Sequence, residues 1–439
     1  MNYEALISPR AAQMRPSGIR KFFDIAAEMK DCISLGVGEP DFKTPWPIRD
    51  AGIRSLERGR TFYTSNSGLK ELREEICTYL NRRFGLAYTA PETLVTVGGS
   101  EAIDLCVRAL VQPGDEVIIP EPCFVCYEPI TTLTGGVPVP LALKAENAFK
   151  LTAAQLKAAI TPKTKLLVLP FPCNPSGAVM RREDLEPIAE VLRGTDIMVL
   201  SDEIYAELTY GGARHVSFAS LPGMKERTVV VNGFSKAYAM TGWRLGYACG
   251  PKPIIDVMTK IHQSAIMCAP TTSQYAAVQA LRHCDEDIER MREEYDLRRR
   301  FIVNRLNSMG LSCFEPEGAF YVFPSIARSK LSSDEFCKRL LMEQKVAVIP
   351  GNAFGASGEG FVRISYSYSM AHLTEALQRI NRFLEGLGVL WLSPYRPRPN
   401  ACCAKRAQAM NRRRWMRPWR PCLPFAQTLG GLGRTAVCC

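Results

Sequence analysis

Long apolar runs are absent from this chain of 439 residues. No segment reaches the roughly 18 consecutive apolar residues of a membrane span, which excludes a helix-anchored membrane protein. The N-terminal stretch MNYEALISPRAAQMRPSGIRKFF likewise holds no apolar core of signal-peptide length, so a cytoplasmic location is the expectation. Histidine is scarce. The four, at 215, 262, 283 and 372, show no metal-ligand spacing and read as surface or helix residues, which excludes a histidine-built metal site. No repeat of solenoid length occurs. Acidic residues are missing from Leu387 to Cys439, where ten Lys or Arg stand, while residues 1–386 carry 45 basic against 44 acidic groups. The body is therefore almost neutral despite a formal charge of +11. That balance argues against a nucleic-acid groove, which rests on neutralising several phosphates.

What is present is ordinary globular composition, 46% hydrophobic and 23% charged. Sixteen cysteines spread through a long chain without an export signal read as reduced thiols and not as a disulfide framework. Residues 387–439, rich in Pro, Arg and Cys, show neither a helical nor a strand period and are expected to be a basic, disordered tail. Its GGLGRTA resembles a dinucleotide-binding turn, but no helix pattern follows it.

Short branched-aliphatic runs bounded by turn residues, DEVIIP (115–120), KLLVLP (165–170), DIMVLSDE (196–203), RTVVVNGFS (227–235) and RLGYACG (244–250), read as strands. Between the first three lie helix-like segments such as TAAQLKAAI and REDLEPIAEVLR, and strands alternating with helices predict an α/β fold with a mostly parallel central sheet covered by helices. A long charged helix follows in 285–310, and then GAFYVFP, VAVIPG and GFVRISYS, interleaved with SSDEFCKRLLMEQ and HLTEALQRINRFLE, predict a smaller α+β unit.

Several polar groups fall at strand ends, where open α/β sheets place ligands. Asp202 ends an apolar strand and, once buried, needs a cationic or hydrogen-bonding partner; the plainer alternative is that it caps the next helix. VTVGGSEAIDL runs from a strand through Gly98, Gly99 and Ser100 into a helix, a backbone arrangement suited to an anion such as phosphate, although a GG turn is often only a turn. FPCNPSG fixes a turn that aims Asn174 at the same sheet edge. Lys236, beside Ser235 and shortly before Arg244, has the makings of a Schiff-base nucleophile next to a bound phosphate, with an amine whose pKa burial and neighbouring cations would lower. Cys123 and Cys126 form a C-x-x-C around Phe124; with no second such pair, neither a zinc site nor redox chemistry is expected of it.

SLGVGEPDFKTP, YTSNSGLKELREEI, PCNPSG, SDEIYAEL, FSKAYAMTGWRLGY, IPGNAFG and GFVRISYS occur in the order found in the fold-type I, pyridoxal-phosphate-dependent class I aminotransferases, which the chain resembles over about residues 1–386. With SGIRKFFDIA and MTGWR it looks nearest to the bacterial aminotransferase A type, described as acting on aromatic amino acids and on acetylated diaminopimelate. The resemblance implies the pyridoxal-phosphate-dependent transferase fold type I. A segment 1–45 would belong to a small domain completed by 291–386, and 46–290 would form the large cofactor-binding domain.

The same resemblance implies pyridoxal 5'-phosphate as cofactor, bound to Lys236, with Asp202 on its ring nitrogen, Asn174 and Tyr205 on its ring oxygen, and Phe124 on its face. Gly99, Ser100, Ser235 and Arg244 would hold the phosphate, helped by Tyr63 reaching across from a neighbouring subunit of a homodimer. Arg363, with Gly38 and Asn174, would take the substrate α-carboxylate. The implied reaction is ping-pong transfer of the amino group of an L-amino acid, aromatic or related, to a 2-oxo acid such as 2-oxoglutarate. Where the family often has lysine this chain has Ser100, which weakens a dicarboxylate-specific reading. The alternatives are an aspartate aminotransferase and a carbon–sulfur β-lyase, which share the same lysine and arginine. A cofactor-sensing regulator would need a DNA-binding domain ahead of the match, which starts within about ten residues of Met1.

Overall fold

Alternation of side chains along the aliphatic runs sets the architecture. In a computed structural model that describes residues 1–3, 5–12, 14 and 29–389, the strands are β1 (Ile33–Ser34), β2 (Thr93–Thr96), β3 (Glu116–Glu121), β4 (Val137–Ala142), β5 (Thr164–Leu169), β6 (Met198–Asp202), β7 (Thr228–Gly233), β8 (Gly246–Cys249), β9 (Tyr321–Val322), β10 (Val346–Ala347), β11 (Ile349–Pro350) and β12 (Val362–Ser365). The tail beyond residue 389, with its glycine-rich turn, lies outside the described residues.

Seven strands form one sheet in the order β2-β8-β7-β6-β5-β3-β4, with β8 alone antiparallel to its neighbours. Successive residues point to opposite faces of a sheet. Accordingly Ile118, Leu167 and Val199 pack into one core cluster, and Val117, Ile119, Leu166, Val168 and Leu200 into another on the opposite face. Both faces are buried, which is why β5, β6 and β7 read as near-continuous apolar runs. The helix Gly99–Leu110 lays Ala102, Ile103, Cys106 and Leu110 on one of these faces.

Two expectations needed correction. The strand β4 had not been recognised, because VPVPLA carries Pro138 and Pro140; it lies at the sheet edge, partly exposed, where missing N–H groups are tolerated. VAVIPG, expected as one strand, divides into β10, which pairs in parallel with β1, and β11, which joins β12 and β9 in a three-stranded antiparallel sheet. The long charged helix spans Asp285–Ser308 and is followed by Gly310 at φ +84°, a backbone conformation that glycine adopts without strain.

The described histidines also depart in part from the reading as surface or helix residues. His215 stands in a loop with its side chain only 4% exposed, its Nε2 2.8 Å from a Glu203 oxygen, and His262, although helical, is fully buried with its Nδ1 2.8 Å from Glu101. For His262 the carboxylate is a hydrogen-bond partner, whereas at His215 the carboxylate is close without the alignment of a hydrogen bond.

Candidate active site

The C-terminal ends of β2, β3, β5, β6 and β7 converge on one cavity of about 380 Å³, a size suited to a small ligand. Every site residue expected from the sequence lines it except Tyr63, whose side chain is 81% exposed at the surface. Asp202 is the last residue of β6; Ser235 and Lys236 follow β7; Asn174 follows β5; Phe124 follows β3; Gly99 and Ser100 open the helix after β2. Strand order thus assembles residues that are far apart in the chain.

At one end of the cavity the backbone itself makes room. Gly98 sits at φ +81° as N-cap of the helix Gly99–Leu110, no side chain caps the first turn, and a Cβ on Gly98 would come within 2.7 Å of the Arg244 guanidinium. Free helix N–H groups beside an arginine fork form a setting for a phosphate-like anion. Arg244 holds its place through φ +53° and a bond from Nη1 to the Thr241 carbonyl at 3.0 Å.

In the middle, the Asp202 carboxyl is 7% exposed and has no basic partner within salt-bridge distance among the described residues. Tyr127 donates its hydroxyl proton to Oδ2 at 2.6 Å and the Ile204 N–H reaches Oδ1 at 3.2 Å. Burial pushes this carboxyl up from its ordinary pKa, and the Tyr127 bond opposes the rise. Lys236 donates from Nζ to the Gly38 carbonyl at 2.5 Å. Its amine is pulled down to about 8, first by burial and then by the nearby Arg363, with Glu39 opposing and Arg244 adding to the fall.

At the far end lies Arg363, 3% exposed. It donates from Nη1 to Asn174 Oδ1 at 2.9 Å and from Nη2 to the Gly36 carbonyl, while Nε has no partner among the described residues. Tyr321 and Phe354 flank the guanidinium, their ring centres 4.5 and 4.7 Å from it. No carboxylate meets this buried cation among the described residues, so the cavity presents a site for an anionic group. Tyr205 is buried beside Lys236, and its hydroxyl lies 2.8 Å from that of Tyr321. Cys123 and Cys126 carry free thiols that burial pushes well above the ordinary range, the opposite of a reactive thiolate pair.

Two residues of this site, Tyr127 and Tyr321, had not been anticipated. The first sits one residue beyond the C-x-x-C, the second in GAFYVFP, and nothing in their local pattern separates them from ordinary core tyrosines.

Residues 30–380 match the family "Aminotransferase class I and II". The chain is a class I/II aminotransferase. It is 48% identical over 383 residues to the aspartate aminotransferase of Pyrococcus abyssi, covering 86% of this chain and 98% of that protein. It is 43% identical to aromatic-amino-acid aminotransferase 2 of Thermococcus litoralis, with 86% and 98% covered. Among solved structures it superimposes on the aromatic aminotransferase of Pyrococcus horikoshii with a TM-score of 0.81 at 43% identity, covering 85% of this chain and all of that one. The Thermus thermophilus aspartate aminotransferase with maleate gives 0.83 at 38% identity, with 88% and 99% covered. This protein is therefore a transaminase, acting on amino and 2-oxo acids, and its fold is the α/β fold of these enzymes.

Proposed function

We propose that the cavity binds pyridoxal 5'-phosphate and that the enzyme moves the amino group of an L-amino acid, aromatic or related, to a 2-oxo acid, 2-oxoglutarate first among them, in two ping-pong half-reactions. The residues fit such a cofactor: an uncapped helix N-terminus beside Arg244 suits its phosphate, and a buried carboxylate without a basic partner suits its ring nitrogen. When bound, the protonated ring would draw electrons from the substrate α-carbon.

The chain's own residues would do the rest. Gly99, Ser100, Ser235 and Arg244 would hold the phosphate, with Tyr63 of a second copy completing that shell. Asp202, whose charged form the Tyr127 hydroxyl favours, would hold a proton at the ring nitrogen. Asn174 and Tyr205 would orient the ring through its oxygen, and Phe124 would cover its face. Lys236 would hold the aldehyde at rest. Displaced by the substrate, its amine would take the proton from the α-carbon and deliver it to the cofactor carbon, work that suits a pKa of about 8. Arg363 would clamp the α-carboxylate beside Asn174 and Gly38.

The observation that carries the substrate reading is the distribution of charge. Among the described lining residues the cations are Lys236, Arg244 and Arg363, each taken by one of these roles, and the remaining wall includes Val37, Ile103, Phe124 and Ile204. The side chain of the amino-acid substrate would meet this largely apolar wall, which suits an aromatic ring, and the distal carboxylate of 2-oxoglutarate would need a cation from outside these lining residues. A small domain made of 1–45 and 291–386 beside a large domain of 46–290 is supported by the β1–β10 pairing. A homodimer is supported by the exposed Trp46, Phe62 and Tyr63.

The test is the visible spectrum of the protein with added pyridoxal phosphate, for wild type and Lys236→Ala, followed by L-phenylalanine, L-tyrosine, L-aspartate and L-alanine in turn. The wild type is expected to show a lysine-dependent band that the aromatic amino acids bleach fastest. Fastest bleaching by aspartate would overturn the substrate class, and no uptake of cofactor would overturn the whole reading.

A further inference from the structure

Tyr321 has no part in the reaction as set out above, yet its contacts join the two halves of the cavity. Its side chain is buried, and its ring packs against the Arg363 guanidinium at 4.5 Å. Its hydroxyl stands where a Cβ on Gly38 would collide with it, and the Gly38 carbonyl is the acceptor for Lys236. That hydroxyl lies 2.8 Å from the hydroxyl of Tyr205, and each is the other's sole hydrogen-bond partner among the described residues.

A phenol carries a single proton, so the pair has two states. If Tyr205 donates to Tyr321, Tyr205 turns only lone pairs toward the cavity. If Tyr321 donates to Tyr205, the Tyr205 proton is free for an acceptor in the cavity. Either direction satisfies the bond between them. An anionic acceptor beside Tyr205 selects the second, and a chain of two donors toward an anion polarises each link.

We infer that Tyr321 is a positioning residue: it donates its hydroxyl proton to Tyr205, turns the Tyr205 proton toward the ring oxygen of the cofactor, and through its ring sets Arg363 against the same unit. The inference rests on the proposed cofactor reading. It makes one side chain responsible for two alignments, that of the cofactor oxygen through Tyr205 and that of the substrate carboxylate through Arg363. The hydroxyl serves the first and the ring the second, so they separate by mutation.

Tyr321→Phe keeps the ring beneath Arg363 and removes only the hydroxyl. The experiment compares wild type, Tyr321→Phe, Tyr205→Phe and the double variant, each loaded with pyridoxal phosphate. It reads the pH titration of the visible band, kcat and KM for the amino acid, and Tm. In Tyr321→Phe the midpoint of the band is expected to move up in pH, in the same direction as in Tyr205→Phe but by less, because the Tyr205 donor at the ring oxygen remains and loses only the bond from Tyr321 that polarises and aligns it. With one neutral hydrogen bond lost, kcat falls by roughly five- to tenfold while KM stays within about twofold. The double variant matches Tyr205→Phe alone, since the hydroxyl acts only through Tyr205.

A band midpoint unchanged in Tyr321→Phe, with only Tm lowered, overturns the inference and leaves Tyr321 as packing. Additive losses in the double variant overturn it as well, because they show Tyr321 acting by a separate route. A wild type that forms no visible band at all brings down the cofactor reading on which the inference stands, a failure distinct from either of these.

Discussion

Arg299 and Arg363 are equally buried and oppositely furnished. The Arg299 side chain, 4% exposed, meets Asp296 at 2.7 Å and Glu315 at 2.6 Å, and its neighbour Arg298, 6% exposed, meets Asp41 at 2.8 Å and Glu294 at 3.2 Å. Arg363, 3% exposed, meets an amide, a carbonyl and two aromatic rings, and its Nε is left without a partner among the described residues. The carboxylates repeat the contrast a few residues apart in the chain: Glu207 accepts from Arg83 and Tyr79, whereas Asp202 has Tyr127 and a backbone N–H but no paired cation among the described residues. Charges buried for structure are paired inside the chain. A buried charge left unpaired on a cavity wall is accounted for by a partner that arrives from outside.

The contrast breaks most sharply by exchanging the two arginines' roles in experiment. Arg363→Gln, which keeps an amide to bond Asn174, is expected to lower kcat/KM by ~100- to 1000-fold, the loss of a desolvated charge pair with the substrate carboxylate. Its Tm should hold or rise, because an uncompensated buried cation has been removed. Arg299→Gln should do the reverse, losing about 1–2 kcal/mol of stability, less than a fully buried pair because Glu315 is 63% exposed, with kcat/KM unchanged. Thermal melts and steady-state kinetics on both variants decide it; a stability loss in Arg363→Gln equal to that in Arg299→Gln would erase the distinction.

Much of this was legible before the fold was seen, for a physical reason. Parallel strands buried on both faces are apolar throughout, so β5, β6 and β7 announced themselves, and the polar residues just past their ends, Asn174, Asp202 and Lys236, were marked by position as well as by type. The edge strand β4 obeys no such rule, since exposure relaxes its composition and admits two prolines. Tyr127 and Tyr321 were invisible because a buried tyrosine's partner is a tertiary fact: each reaches a group 75 or 116 residues away. His215 was misread for the same cause, its burial depending on Glu203 arriving from the end of β6. Tyr63 was named only through the resemblance, and its exposed position would acquire meaning only with a second copy of the chain.

The carboxylate half of the contrast sharpens with a smaller change. Tyr127→Phe removes the donor from Asp202 Oδ2 and leaves burial, which already raises that carboxyl, without its main opponent. A carboxyl with a raised pKa loses its charge as pH falls through that value, so the variant is expected to bind pyridoxal phosphate more weakly by about tenfold near neutrality, the worth of one hydrogen bond to a charged group. The deficit should widen at lower pH. Tyr79→Phe, at the carboxylate that keeps Arg83, should leave the affinity alone. Cofactor titrations of both variants at two pH values check this; a Tyr127→Phe deficit that does not change with pH would point to packing.

Lys236 supplies the mildest test, since it needs no mutation. Its amine stands among Arg363 and Arg244 on one side and Glu39 and Asp202 on the other, inside a buried wall, and the sum brings it down to about 8. Only the neutral amine attacks an aldehyde. As pH rises through 8 the neutral fraction of the folded protein's amine climbs toward one, whereas an ordinary lysine would still be almost wholly protonated. The rate at which cofactor-free protein takes up pyridoxal phosphate should therefore rise about tenfold per pH unit below 8 and level off above it. Arg363→Gln should shift that bend downward in rate and upward in pH, because a neighbouring cation that favours the neutral amine is gone. Stopped-flow absorbance across pH 6 to 10 reads both effects, and a rate still climbing at pH 10 in the wild type would return Lys236 to the company of solvated lysines.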